Sequence, residues 1–379
     1  MNYSYWEYDS FGKSVDVIII GSGIVGLSAA ISLKKLNPLF KIAVIEKGPI
    51  LGGASLRNAG FACFGSPTEL LDDLKLRSED EVFNLVEKRY KGLQKLRSIL
   101  GDDAIEYEEL GGYEVFDEEQ SFTESMEAIA GFNKALQQIT GKKETYKLSD
   151  KKIDAFGFRG VAHMIENCCE GQINTGKMMK AFIKKANEND ITIINGVEVK
   201  DFKEEGSQVV VNTSWQTLKT KRLLLATNAY TPSLVNNLDV KPGRAQVFIT
   251  EPIKGLKMKG TFHYDKGYYY FRNVGERLLI GGGRNLDFEG ETTTEIEVTQ
   301  KIQDAIEKLV NEKILPGQPY KIEHRWSGLL GLGTNTKSPI VKAISPNVFC
   351  AVRLGGMGVA LGSLVGEEAA TMLNNALNN

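Results

Sequence analysis

Residues 15–36 read VDVIIIGSGIVGLSAAISLKKL. The β-branched run from Val15 to Ile20 suits a strand buried on both faces. Gly21, Gly23 and Gly26 follow at G-x-G-x-x-G spacing, ahead of an apolar helix. The first glycine permits the tight turn, the second lets backbone approach a pyrophosphate, and the third lets helix and strand pack closely. Amides at the helix start, those of Ile24 and Val25 included, then face the phosphates, and the helix dipole favours their charge. Asn37-Pro38 ends the helix, and KIAVIEKG reads as a second strand closing at Glu46 and Lys47. Glu46 stands 20 residues after Gly26, where a carboxylate accepts from ribose hydroxyls. This combination reads as a dinucleotide site, without separating NAD from FAD.

The next residues separate them. Residues 47–65 read KGPILGGASLRNAGFACFG. In place of a second amphipathic helix come Gly52, Gly53, Ala54 and Ser55, then Arg57, Asn58, Ala59 and Gly60, with no helical periodicity. Small residues and open backbone here suit a large planar ring reached through an extended pyrophosphate, and so FAD.

The arrangement resembles the D-amino-acid-oxidase-like family of FAD-dependent oxidoreductases, which includes glycine oxidase, sarcosine oxidase and γ-glutamylputrescine oxidase. SYWEYDSF (residues 4–11) and RNAGFACFG (57–65) look most like the γ-glutamylputrescine oxidase branch. ITIINGVEVKDF is similar to the family strand that lays a valine, here Val199, against the adenine. RLLLATNAYTPSL is similar to the segment returning to the nucleotide at Ala226 and Thr227, with Asn228 where many members have glycine. YYYFRNVGERLLIGGG and HRWSGLLGLGTNTKSPIV match substrate-domain strands and the tryptophan segment. The resemblance implies oxidation of a C–N bond in an amine or amino acid, by hydride transfer to flavin N5, giving an imine that water hydrolyses. It also gives a use to a second glycine-opened helix, CAVRLGGMGVALGSLVGEEAA at residues 350–370. In the family that loop closes beside the pyrimidine edge of the flavin, where reduction leaves negative charge that a helix N-terminus stabilises. Gly355, Gly356, Met357, Gly358 and Val359 are assigned there.

Composition narrows the class. The chain has 379 residues, enough for about two domains, and a formal net charge of -2 gives no electrostatic reason to expect nucleic acid. Four cysteines without CxxC spacing and three scattered histidines (His163, His263, His324) argue against zinc and for reduced, cytoplasmic thiols. The uncharged run Val17 to Leu33 is short for a membrane span and broken by three glycines. A soluble cytoplasmic protein is expected.

The expected fold is α/β: a discontinuous Rossmann-type FAD-binding domain (residues 1–70, 158–240 and 335–379) and a second α+β substrate domain on an antiparallel sheet (71–157 and 241–334). Thr68 to Leu100 reads as scaffold helices, and RAQVFITEP, KGYYYFR and RLLIGGG as antiparallel strands. TTTEIEVTQKIQDAIEKLV reads as a helix opened by a capping box, Thr292 to Glu295, with Ile302, Ile306, Leu309 and Val310 on one face.

Tyr268, Tyr270 and Arg272 alternate along one predicted strand and so share a face, offering aromatic walls and a carboxylate grip. Trp326 is a further wall, and Arg244 and Arg353 are further carboxylate candidates. No dedicated catalytic base is nominated. Where several amino-acid oxidases carry a carboxylate-binding arginine, this chain has Leu329, Leu330 and Gly331, which favours a larger amine. Leu279 stands where monomeric sarcosine oxidase has its oxygen-activating lysine, so the electron acceptor is oxygen or another oxidant. No cysteine or histidine matches a covalent attachment point, so FAD is expected to be non-covalent. Two alternatives stay open: an NAD-dependent dehydrogenase, and a flavin-binding protein without amine turnover.

Overall fold

The β-branched run is a strand, Val15–Ile20, whose last four residues are buried. In the computed structural model, which describes residues 4–7, 9, 12–334 and 336–378, it is central to an eight-stranded sheet. Part of SYWEYDSF, and Asn335 in the tryptophan segment, lie outside the described residues. Val15–Ile20 pairs in parallel with Ile42–Glu46 on one side and Thr217–Leu225 on the other. Thr192–Asn195 and Val348–Val352 extend the parallel core outward. A parallel sheet needs crossover helices on its faces, and Ile24–Leu36 is the first, ten of its residues buried.

A second eight-stranded sheet runs in the order Ile322–Leu332, Lys241–Thr250, Arg277–Gly282, Tyr269–Val274, Thr261–Tyr264, Gly112–Phe116, His163–Asn167, Tyr146–Leu148. All its pairings are antiparallel except that of Thr261–Tyr264 with Gly112–Phe116. Because His163–Asn167 pairs in this sheet, the second layer takes in residues beyond 158. A two-stranded ribbon, Phe61–Ala62 with Gly171–Gln172, lies outside both sheets.

The helix expected to open at Thr292 instead begins at Gln300. Thr293 Oγ1 accepts from the Glu295 amide in a local turn, and Gln246 accepts from the Thr299 amide at 2.8 Å, setting the helix start later. Its apolar face is as read: Ile302, Ile306, Leu309 and Val310 are buried. Among the described residues no helix is long and apolar enough to cross a membrane.

One contact joins the ends of the chain. The C-terminal helix, Gly358–Asn378, lies against Ile24–Leu36 through small residues. A Cβ on Gly362 would come within 2.6 Å of Ile24, and one on Gly366 within 2.7 Å of the Val25 carbonyl. Ser28 and Ser363, both fully buried, hydrogen-bond across the seam at 3.3 Å. Overpacking such a seam costs about 1–3 kcal/mol. Gly366→Val is therefore expected to lower the unfolding midpoint in a thermal or urea melt by an amount equivalent to about 2–3 kcal/mol; an unchanged midpoint would show that the helices are not in this contact.

Candidate cofactor and substrate site

Where Val15–Ile20 and Ile42–Glu46 end, a cleft of about 400 Å³ opens. Gly21 (φ 102°) makes the turn, and a Cβ there would stand 2.7 Å from the Ala226 carbonyl. At Gly23 a Cβ would meet Ser55 Oγ at 2.8 Å, and Ser55 Oγ itself accepts from the Ile24 amide at 3.0 Å. Gly26 is not on the cleft wall; a Cβ there would be 2.0 Å from the Gly21 carbonyl, so it serves helix–strand packing. Among the described residues the amides of Gly23, Val25 and Gly26 take no protein acceptor, leaving the first turn of the helix with open donors. Glu46 faces the same cleft; its carboxylate accepts from the Ser22 amide (3.1 Å), Ser22 Oγ (2.7 Å) and the Gly48 amide (2.9 Å).

The C-terminal loop reaches the cleft from the other side. Gly355, Gly356, Gly358 and Val359 line it, whereas Met357 packs toward the core beneath. Among the described residues the amides of Gly356, Gly358 and Val359 take no protein acceptor, so a second helix start faces the cleft with open donors. Asn228 holds this loop in place. It adopts the left-handed region (φ 43°), and its Oδ1 accepts from the amides of Arg353 (3.1 Å) and Leu354 (3.3 Å). The Gly355 amide donates to the Gly331 carbonyl at 2.9 Å. The Asn228 side chain thus staples the return segment to the C-terminal loop, a role carried by no sequence pattern.

Between these ends, Gly53, Ala54, Ser55 and Asn58 line the cleft, on and beside a single helical turn, Ala54–Arg57, where no helix was expected. Val199, Ala226 and Thr227 line it as well, and Lys47 reaches it while its ammonium pairs with Glu198. Arg57, Ala59 and Gly60 are off this wall and face the second sheet instead. Arg57 donates to the Ser327 carbonyl (2.9 Å), and Trp326 Nε1 donates to the Arg57 carbonyl (3.0 Å). Ala59 packs on Val247 and Leu279. An anion-binding helix start at each side, a carboxylate at Glu46 and bare glycine backbone between them fit FAD.

The sheet face turned to this loop carries Val247, Leu279, Tyr270 and Trp326. The Tyr270 ring covers Gly281, where a Cβ would be 2.8 Å from it, and meets Phe61 edge-on at 5.7 Å. Its hydroxyl has no protein partner among the described residues, and burial holds its pKa well above the usual phenol range. His263, opposite Tyr270 in the adjoining strand, also meets Phe61 edge-on, at 5.3 Å. Burial pulls its pKa down to about 4, against an opposing pull from Glu69, so the imidazole is neutral near pH 7. Its neighbours in sequence carry no signal of this placement; only the strand register supplies it. Tyr268 precedes the strand and is 39% exposed.

The arginines considered as carboxylate anchors all have partners. Arg244 sits on the opposite face of its strand, beside Gln246 and the helix Gln300–Leu309, and grips Glu291 with two nitrogens (2.9 and 2.8 Å). Arg353 pairs with Asp239 at 2.8 Å. Arg272 donates to the carbonyls of Ala59 and Ile173, and burial lowers its pKa to about 10. It therefore holds the loop at Ala59 to the sheet.

Buried polar groups hold the chain after Gly60. Glu170 accepts from the amides of Phe64 (2.8 Å) and Gly65 (3.2 Å), and Arg89 donates to the Phe64 carbonyl at 3.1 Å. Burial pushes the Glu170 carboxyl up to about 8, despite those amides. The folded state then keeps a proton that the unfolded chain releases above about 4.5, so stability falls as pH rises from there toward 8. Glu170→Gln is expected to flatten the decline in melting midpoint between pH 5 and 8; an unaltered slope would contradict the assignment. At the cleft, Gly23→Val is expected to abolish retention of FAD, read as the flavin-to-protein absorbance ratio after purification. A normal ratio would show that the pyrophosphate lies elsewhere.

Comparisons with known proteins agree with this geometry. The model of the FAD dependent oxidoreductase (DAO) family matches residues 16–372. A probable oxidoreductase OrdL of Rhizobium meliloti (strain 1021) is 24% identical over 95% of this chain and 83% of its own length. Sarcosine oxidase subunit beta of Rhodobacter capsulatus is 21% identical over 94% of this chain and 85% of its own. Among solved structures, glycine oxidase from Geobacillus kaustophilus superposes with a TM-score of 0.77 at 18% identity, covering 96% of this chain and 95% of that one. L-proline dehydrogenase from P. horikoshii gives 0.75 at 19%, covering 96% and 94%. The cleft with two helix starts and the match along nearly the whole chain place this protein in the FAD dependent oxidoreductase (DAO) family, as an FAD-dependent oxidoreductase.

Proposed function

We propose that this enzyme oxidises the C–N bond of an amine, and that its substrate is bulkier than a small α-amino acid. The observation that carries the reading is the aromatic cluster between the flavin loop and the second sheet. Phe61, Tyr270, His263 and Trp326 form it, and Arg244, Arg272 and Arg353 are each committed to protein partners. Leu329 and Leu330 line the cleft where a carboxylate-binding arginine would otherwise stand. The names of its relatives, glycine oxidase, L-proline dehydrogenase and sarcosine oxidase subunit beta, point to substrates with a nitrogen-bearing carbon.

When bound, FAD supplies the two-electron acceptor. The residues of this chain do the rest. An apolar, aromatic enclosure favours the uncharged form of an amine, the form that can give up a hydride. The neutral His263 ring and the unpaired Tyr270 hydroxyl offer hydrogen bonds to that nitrogen without adding charge. No covalent partner for the flavin is assigned, and FAD is held by backbone amides and shape. The match to an FAD-dependent family leaves the nicotinamide alternative without support.

The test is anaerobic reduction of the purified yellow enzyme by D-amino acids, N-methyl amino acids and polyamine derivatives. Loss of the flavin band near ~450 nm is expected with larger amines, polyamine derivatives foremost, and more slowly with glycine-sized substrates. Bleaching by small α-amino acids alone would overturn the substrate class. Failure of the whole panel would favour a flavin protein without amine turnover.

A further inference from the structure

Outside the cofactor cleft, two thiols stand side by side. Cys168 and Cys169 form the two-residue turn between the strands His163–Asn167 and Gly171–Gln172. Their sulfurs are 3.9 Å apart, and closing a bond between them requires the turn's backbone to shift as well as the side chains. Cys168 is half-buried and its thiol donates to the Glu144 carbonyl at 3.2 Å, whereas Cys169 is 6% exposed. Lys142, whose ammonium pairs with Glu109 at 3.7 Å, lies within electrostatic reach of the two sulfurs. Asn167, 3% exposed, anchors the turn by accepting from the Cys169 amide, while its Nδ2 has no partner among the described residues. The other two cysteines are buried elsewhere, Cys63 in the flavin-loop segment and Cys350 in the strand Val348–Val352.

We propose that Cys168 and Cys169 are a reversible thiol modification site that closes to a vicinal disulfide with hydrogen peroxide as oxidant and so loosens the flavin-loop strand. The Cys168 thiolate attacks one peroxide oxygen; the O–O bond breaks, leaving a sulfenic acid on Cys168 and releasing water once the leaving hydroxide takes a proton. The Cys169 sulfur then displaces the hydroxyl, which leaves as a second water with the Cys169 proton. The two thiols lose two electrons and two protons, and the peroxide becomes two waters. Closing the ring moves the turn immediately before Glu170, whose side-chain oxygen holds the amides of Phe64 and Gly65, and before Gly171–Gln172, which pairs with Phe61–Ala62. Phe61 is the aromatic wall itself, so oxidation at the turn reaches the substrate compartment through one short ribbon.

The experiment treats the FAD-loaded protein with hydrogen peroxide, followed by intact-mass and peptide mass spectrometry, thiol titration and hydrogen exchange. The expected result is loss of two hydrogens from the peptide holding Cys168 and Cys169, a fall from four titratable thiols to two in denaturant, and full reversal by dithiothreitol. Cys168→Ser should abolish the loss, and unoxidised enzyme should bind one phenylarsine oxide per chain, a probe for paired thiols that the variant lacks. Amides of Phe64 and Gly65 should exchange faster in the oxidised protein. Gain of oxygen on either cysteine without the paired loss, or a paired loss that survives in Cys168→Ser, would overturn the site. Closure with unchanged exchange at Phe64 and Gly65 would overturn the coupling. Should Cys168→Ser fail to fold, the loss of two hydrogens from the natural chain's Cys168–Cys169 peptide and its reversal by dithiothreitol decide the site: no such loss overturns it.

Discussion

The seam between the first crossover helix and the C-terminal helix organises the molecule. Gly362, Ser363 and Gly366 let the two helices approach until backbone meets side chain, and the buried Ser28–Ser363 bond fixes their register. A helix start carries partial positive charge and unpaired amides. Packing these two helices together brings two such starts, separated by over three hundred residues of sequence, into one cleft. An uncharged ligand would gain little from that arrangement. A dinucleotide with phosphates at one end and an electron-accepting ring at the other is served by both.

The loop between the cleft and the second sheet is held by polar groups with little access to water. Arg57 and Trp326 exchange hydrogen bonds through each other's backbone neighbourhood, Arg272 binds two carbonyls, and Glu170 binds two amides. Buried polar groups of this kind are costly unless satisfied, and once satisfied they specify one geometry. The arrangement decides what the arginines are for. A guanidinium that looks free in sequence is used here to position backbone, and the sheet face beside the loop is left aromatic and apolar.

Much of this was legible in the chain. The run Val15–Ile20, the glycines at 21, 23 and 26 and the acid at 46 specify a strand, a turn and a helix by local rules alone, and the parallel core follows. Alternation put Tyr268, Tyr270 and Arg272 on one face of a strand, and Tyr270 packs there against Phe61. Alternation cannot say which face of a strand meets which partner, so Arg244 and Arg272 read like anchors when one pairs with Glu291 and the other with carbonyls. His263 has no local pattern at all; it reaches the compartment through a pairing between separate strands. The Thr292–Glu295 signal failed because a distant side chain, Gln246, captured the Thr299 amide and set the helix start. Asn228 shows the same limit, since its partners lie 125 and 126 residues away.

A crystal structure of the yellow, FAD-bound enzyme tests the central claim most directly. The account predicts electron density for one dinucleotide, with its pyrophosphate against the amides after Gly21 and the pyrimidine edge of its ring against those of Gly356 to Val359. A ring lying away from the C-terminal loop, with those amides facing solvent, would contradict it.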